Sequence, residues 1–348
     1  MKKLWDRLLL WLTAWGFVAG FLFWLALIAR KRMSHNSGIT GRGRLRLYDK
    51  LEIPPHDFFK PGAEFPCRVR HASVSFWDDA MLDVRAASIK FADSDWESPF
   101  DMEMNTGRTS LFWSAANFLF FASKTDNSPA LTYKTYYEIY AQGREAAIEG
   151  IRVDPPSFAV LRYHSQTPTQ FVGTDGVQRY CTYRLIPGDR ADDAQYIETS
   201  PVVEEVFDQR ALKGEQRGKD YLRNEYRDRV KAGPVRYIFQ IQIHTAVAGE
   251  SEEIFNSNKF WDEATHPWFD LAEVTITDTA EGLGDYETRM SLRHLPASLA
   301  IMPAYSIHDY NSLNYMRAVA DAIKALRVWA GRTFGQPQGE TSPAITRR

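Results

Sequence analysis

Cysteine is nearly absent from this sequence: Cys67 and Cys181 are the only two among 348 residues. Neither has a partner at metal-ligand spacing, which excludes a zinc site and a disulfide framework. Excess charge of one sign is missing as well. The 42 Lys and Arg residues nearly balance 44 Asp and Glu, for a net charge of −2, so a nucleic-acid binder is excluded on electrostatic grounds. No phosphate loop, dinucleotide fingerprint, nucleophile elbow or HExxH motif occurs, and there is no internal repeat. Disorder is excluded too, because 44% of the residues are apolar and 25% charged, ordinary for a globular chain. This length buries one large core or two modest ones. The aromatic content of 14% suits a β-rich core or a pocket for a flat ligand.

One stretch lacks charge altogether. Leu8 to Ala29 holds none over 22 residues, about 33 Å of helix and enough to cross a hydrocarbon core. It ends in Arg30-Lys31-Arg32 rather than at a small-residue cleavage site, so an uncleaved single-pass anchor is expected over residues 1–30. Trp5, Trp11 and Trp24 suit the membrane interfaces. Gly16 and Gly20 form one GxxxG, a candidate homodimer face. The larger cationic cluster follows the span and predicts a cytoplasmic main domain, although Lys2, Lys3 and Arg7 argue the other way.

Beyond the anchor, period-two alternation predicts strands in residues 43–53, 65–76, 83–93, 157–165, 178–187 and 235–247. Residues 107–122 and 133–149 read as helical. Residues 200–233 read as a charged helical excursion. A last helix is predicted over 311–331, with Leu313, Met316, Val319, Ile323 and Leu326 at helical spacing, then a disordered tail over 332–348. The expected fold is α+β, an antiparallel β-rich domain over 31–331 with a C-terminal helix.

Several patterns in this order resemble catalase and its small relatives, among them the catalase-related allene oxide synthases and peroxidases. "RMSHNSGITGRGRLRLY" is similar to the family's opening segment, "CRVRHASVSFWDDAMLDVRAASIKF" to its arginine-bearing strand and loop, and "FDMEMNTG" to its asparagine element. "YHSQTPTQF" and "FWDEATHPWFDLAEVTI" match the small relatives, and "SIHDYNSLNYMRAVADAIKALR" resembles the helix on the opposite side of the haem. The resemblance implies a catalase-like antiparallel β-barrel holding haem b. It makes His35 and Asn105 the catalytic pair facing the peroxide. Arg32 and Arg70 become haem-propionate partners, and Arg317 the arginine of the proximal helix.

On that match Asp321 stands where the family places its iron-ligating tyrosine, four residues after Arg317. Tyr315 lies about 200° around the helix from Arg317, and Tyr310 and His308 precede the helix. His71 alternates to the face opposite Arg70. Taken singly, each residue has a plainer reading. His35 is an interfacial surface histidine, Asn105 a turn residue, Arg32 a headgroup anchor and Arg70 an exposed strand arginine. Arg317 and Asp321 form an i, i+4 ion pair. The expectation is a membrane-anchored haem protein that metabolises organic, lipid-class hydroperoxides by peroxidase or isomerase chemistry. The alternative is a binding or assembly subunit at the membrane that has lost iron ligation.

Overall fold

The computed structural model describes residues 2–74, 78–123, 134–193, 214–280 and 282–336. Its strands are β1 (Gly38–Leu47), β2 (Glu64–Ser73), β3 (Asp83–Lys90), β4 (Asp101–Asn105), β5 (Ile151–Arg152), β6 (Tyr163–His164), β7 (Thr169–Val172), β8 (Gln178–Pro187), β9 (Val235–Thr245) and β10 (Phe269–Ala280). The helices are α1 (Lys2–Phe17), α2 (Ala115–Ser123), α3 (Lys134–Ile139), α4 (Ala141–Gly150), α5 (Tyr221–Ala232), α6 (Leu283–Glu287), α7 (Ser312–Ala320) and α8 (Lys324–Phe334).

The strands pair in the order β2-β1-β10-β9-β8-β6-β4-β3, and β3 pairs back with β2. That path closes an eight-stranded antiparallel barrel and leaves no open edge along it. β5 adds to β3 and β7 to β8 outside the ring. Alternation sorts the side chains. Cys67, Val69 and His71 of β2, Met102 and Met104 of β4, Cys181, Tyr183 and Leu185 of β8, and Tyr237, Phe239 and Ile241 of β9 are all buried. Tyr183 and Phe239 stack at 5.4 Å across the β8–β9 pair. Each such aromatic contributes about 1.5–3 kcal/mol by leaving water.

The intervening residues Arg68, Arg70, Glu103, Asn105 and His164 have the opposite parity and lie on the outer wall. The β1–β10 register skips a residue next to Gly43. A Cβ at Gly43 would come within 1.9 Å of the Thr275 carbonyl oxygen, so only glycine lets the strands approach there.

The expected strand at 157–165 is mostly not one. Only Tyr163–His164 pairs, after a short 3₁₀ turn at Phe158–Val160, because Ser157 Oγ accepts from Ala159 N–H and starts a turn instead. The predicted helix at 107–122 begins only at Ala115, because Thr109, Ser110 and Asn258 tie the preceding loop down. The last helix tightens at Asp321–Ile323 and then runs on to Phe334, three residues into the expected tail. Residues 75–76 of the second predicted strand, 200–213 of the charged excursion and 337–348 of the tail lie outside the described residues.

The apolar amino-terminal segment is one helix over Lys3–Ala29, with wider turns at Val18–Leu22 and Leu25–Ala29. Ala14 meets Met316 and Ala115, and Val18, Leu22 and Leu25 meet Val319, Ala320 and Ile323. It therefore lies against α2, α7 and α8.

Candidate functional site: a histidine–asparagine pair on the barrel wall

His35 sits in the link between the apolar helix and β1, with a left-handed backbone (φ 57°) that histidine adopts more readily than most residues. Arg70 holds that conformation. Its Nη1 donates to the His35 carbonyl at 3.1 Å and its Nη2 to the Asn36 carbonyl at 3.3 Å. The guanidinium crosses directly over Gly38, where a Cβ would come within 2.4 Å of Arg70 Nη2. His35 Nδ1 shares a 2.7 Å hydrogen bond with Ser34 Oγ. Its Nε2 is buried without a hydrogen-bond partner. Burial, with the nearby Arg70 charge, lowers the imidazole to about 4, while Asp83, Glu103 and the Asn105 amide oppose the shift. The ring is neutral at ordinary pH, and Nε2 is the atom left to exchange a proton.

Asn105 ends β4, opposite Ala86 on β3 and His164 on β6. Glu103 lies two residues earlier on the same strand face and is the centre of a charge cluster. Lys324 Nζ reaches Glu103 Oε1 at 3.3 Å and Asp321 Oδ1 at 2.5 Å, and it also donates to the Met290 carbonyl. Ser291 Oγ donates to Asp321 Oδ2 at 2.5 Å. Burial pushes Glu103 upward, but Lys324 and Arg317 hold it below its ordinary value. Burial also dominates at Asp321 and raises it, with Lys324 opposing. Arg317 lies in the same field, its charge interacting with Glu103 and Asp321, and its Nη1 donates to Asn314 Oδ1 at 3.4 Å.

Arg32 and Arg70 belong to a second knot. Arg70 binds Asp285 through Nε and Nη2, both at 2.9 Å, and Thr40 Oγ1 adds a 2.8 Å bond. Arg32 Nη2 donates to the carbonyls of Asp285, Tyr286 and Thr288 at 3.1, 3.2 and 2.9 Å. Burial alone would raise Asp285; Arg70 and Arg32 keep it lowered. Of the five expected residues, the structure therefore brings Arg70 and Asn105 to His35, while Arg317 shares only the charge field of Glu103 and Asp321. The fold gives Arg32 and Arg70 protein acceptors where a propionate was expected.

Glu103 was legible in "FDMEMNTG" by its two-residue offset from Asn105. Asp285, on α6, carried no local signal. His71 points into the barrel as alternation requires, its Nε2 2.9 Å from Tyr237 Oη.

The fit to a haem is one-sided. The orphaned Nε2 of His35 beside Asn105 suits the face that meets a peroxide. The helix side does not fit. Asp321 replaces the phenolate and is bound by Lys324 and Ser291. Lys324 also bridges α8 to the strand face that carries Asn105. Tyr315 joins the cluster that includes Ala14 and Met316, Tyr310 bonds Glu253, and His308 is exposed. Beside Asn105, around His164, lies a small cleft with room for little more than a water, lined by Arg108, Gln166, Lys259, Trp261 and Trp268 among others.

A closed eight-stranded antiparallel barrel flanked by helices is the catalase-like architecture. No family model matches the chain. It is 39% identical over 306 residues to the allene oxide synthase-lipoxygenase protein of Plexaura homomalla, covering 85% of this chain and 28% of that protein. It is 26% identical over 127 residues to a catalase-related peroxidase of Mycolicibacterium paratuberculosis, covering 36% and 34%. This chain thus spans about a third of the length of either relative. A bacterial catalase structure superposes with a TM-score of 0.63 at 15% identity, over 91% of this chain and 63% of that one. The chain has the catalase-like fold and is similar in sequence to catalase-related proteins, as the sequence resemblance implied, and both named relatives are enzymes.

Proposed function

We propose that this chain is a membrane-associated member of the superfamily that metabolises organic hydroperoxides of the lipid class, by peroxidase or isomerase chemistry. The observation that carries the reading is His35: a neutral imidazole with a buried, unpartnered Nε2 beside an asparagine amide. Nε2 exchanges a proton with a hydroperoxide O–H, and Asn105 orients the second oxygen. The position of His35, six residues after Ala29, puts that pair near the end of the apolar helix and favours a lipophilic substrate.

Haem b remains part of this proposal only through the peroxide-facing side. The residues at 317–324 offer it no phenolate. The cationic residues Arg30, Lys31 and Arg32 favour a cytoplasmic main domain.

The Asp321–Lys324–Glu103 bridge favours a second reading, a haem-free scaffold that binds hydroperoxides without turning them over. Haem per chain in detergent-purified protein, with consumption of a fatty-acid hydroperoxide against hydrogen peroxide, separates the two. Turnover that falls roughly 10²–10⁴-fold in His35→Asn supports the first reading. Protein that neither carries nor takes up haem and consumes no hydroperoxide refutes it and leaves the scaffold.

A further inference from the structure

The amino-terminal helix has two unlike faces. Leu10, Ala14, Val18, Leu22 and Ala26 are 1–4% exposed and recur every fourth residue. In a regular helix such a row rotates by about 40° per step and would leave the domain before reaching Ala26. The wider turns at Val18–Leu22 and Leu25–Ala29, with more residues per turn, rotate it back. The row consequently follows α7 and α8 along the helix. Both ends are fastened too. Arg7 sits over the Tyr305 ring at 4.3 Å, and Tyr286 Oη donates to the Arg30 carbonyl at 3.1 Å.

The other face is apolar and uncovered. Trp5, Trp11, Leu12, Trp15, Trp24 and Ile28 are each 41–68% exposed. α8, which packs against the last turns of the helix, also carries exposed apolar side chains: Trp329 and Phe334, 52% and 58% exposed, meet edge to face at 5.7 Å.

A span crossing the bilayer in this arrangement would carry α7 and α8 into hydrocarbon with it. Those elements and the turn between them bring Arg317, Asp321, Lys324 and the exposed Arg332, and ionised groups are costly at that depth. We propose that the helix lies in the plane of the membrane, docked on its own domain, with its outer face and Trp329–Phe334 inserted in one leaflet. The occupant of the face is a lipid bilayer with anionic headgroups. Lys3 and Arg7 at one end and Arg30 at the other then meet the same surface. The opposing orientation signals of the two clusters are thereby reconciled. This inference is independent of the hydroperoxide reading.

The test uses the full chain in cell membranes, with Lys3→Cys on the helix and Lys60→Cys on the exposed surface of the domain. The native thiols, Cys67 and Cys181, are buried and stay silent. An impermeant maleimide should label both introduced cysteines from the same side. Labelling from opposite sides means a crossing helix and overturns the proposal. In parallel, the Trp329→Glu/Phe334→Glu double variant should bind phosphatidylcholine vesicles containing phosphatidylglycerol at least roughly tenfold more weakly than wild type. Unchanged vesicle binding overturns the proposal. A lipid-independent dimer that ignores vesicles also overturns it, since the face is then covered by a second copy.

Discussion

Replacing Arg70 with leucine tests whether that guanidinium serves a cofactor or the fold. Asp285 is 7% exposed at its side chain and so is Arg70. The variant strips the carboxylate of both its charge-assisted bonds and leaves Thr40 Oγ1 as the side-chain donor among its described hydrogen bonds. Breaking one half of a buried ion pair costs about 3–5 kcal/mol. At roughly 2–4 °C per kcal/mol for a large domain, the melting temperature falls by about 6–20 °C.

Arg70→Leu/Asp285→Leu replaces the whole pair with apolar groups, which is often nearly neutral. The double variant is therefore more stable than the sum of the singles requires. Urea or thermal denaturation of the four proteins, each with and without added haem, reads both quantities. A propionate-binding Arg70 predicts the reverse: haem-free protein as stable as wild type, with the deficit confined to the haem-loaded form. A loss under about 1 kcal/mol without haem, or strict additivity in the cycle, refutes the structural role.

Two further outcomes follow from the buried charges. Lys324→Met removes the cation between Asp321 and Glu103 and should cost a few kcal/mol at neutral pH. Without Lys324, Asp321 has a folded-state value raised further above its unfolded one, so the folded form binds the extra proton. The deficit relative to wild type should then shrink as pH falls from 7.5 to 5 in paired urea titrations; a deficit that widens in acid refutes the bridge. In the wild type, His35 is lowered to about 4 and His71 to about 3, chiefly by burial. An unfolded histidine titrates near 6.5, so between that value and the folded ones the unfolded chain binds more protons. Stability is full above about pH 6.5 and falls as pH drops toward 4. A denaturation midpoint that stays level or rises over that window contradicts the assignment of neutral buried imidazoles.

How much of this was legible in the sequence depends on the range of the interaction. Strand faces were legible because alternation is local: Arg70 outside and His71 inside follow from adjacency alone, and 178–187 matches β8 residue for residue. The family order placed His35 and Asn105 together although 70 residues separate them. It could not place Arg70, because its decisive partner Asp285 is 215 residues away in a segment that no motif marked. Composition likewise showed that residues 8–29 avoid water, but not which apolar surface they meet. The same uncharged run satisfies a bilayer on every side, or a protein on one side and lipid on the other.

The same distinction bears on Asp321. In sequence it is a single departure at one helical position, and a pocket with another iron ligand would tolerate it. In the structure it is the buried end of a chain of contacts running through Lys324 to Glu103, on the strand face that also carries Asn105. Asp321→Tyr alone leaves Lys324 bound to Glu103, its cation still bridging helix and barrel. A phenolate site therefore needs the lysine and the aspartate changed together. Asp321→Tyr should gain no haem unless Lys324→Met accompanies it. A tyrosinate-like haem spectrum from the single variant would mean that the bridge does not hold helix and barrel together.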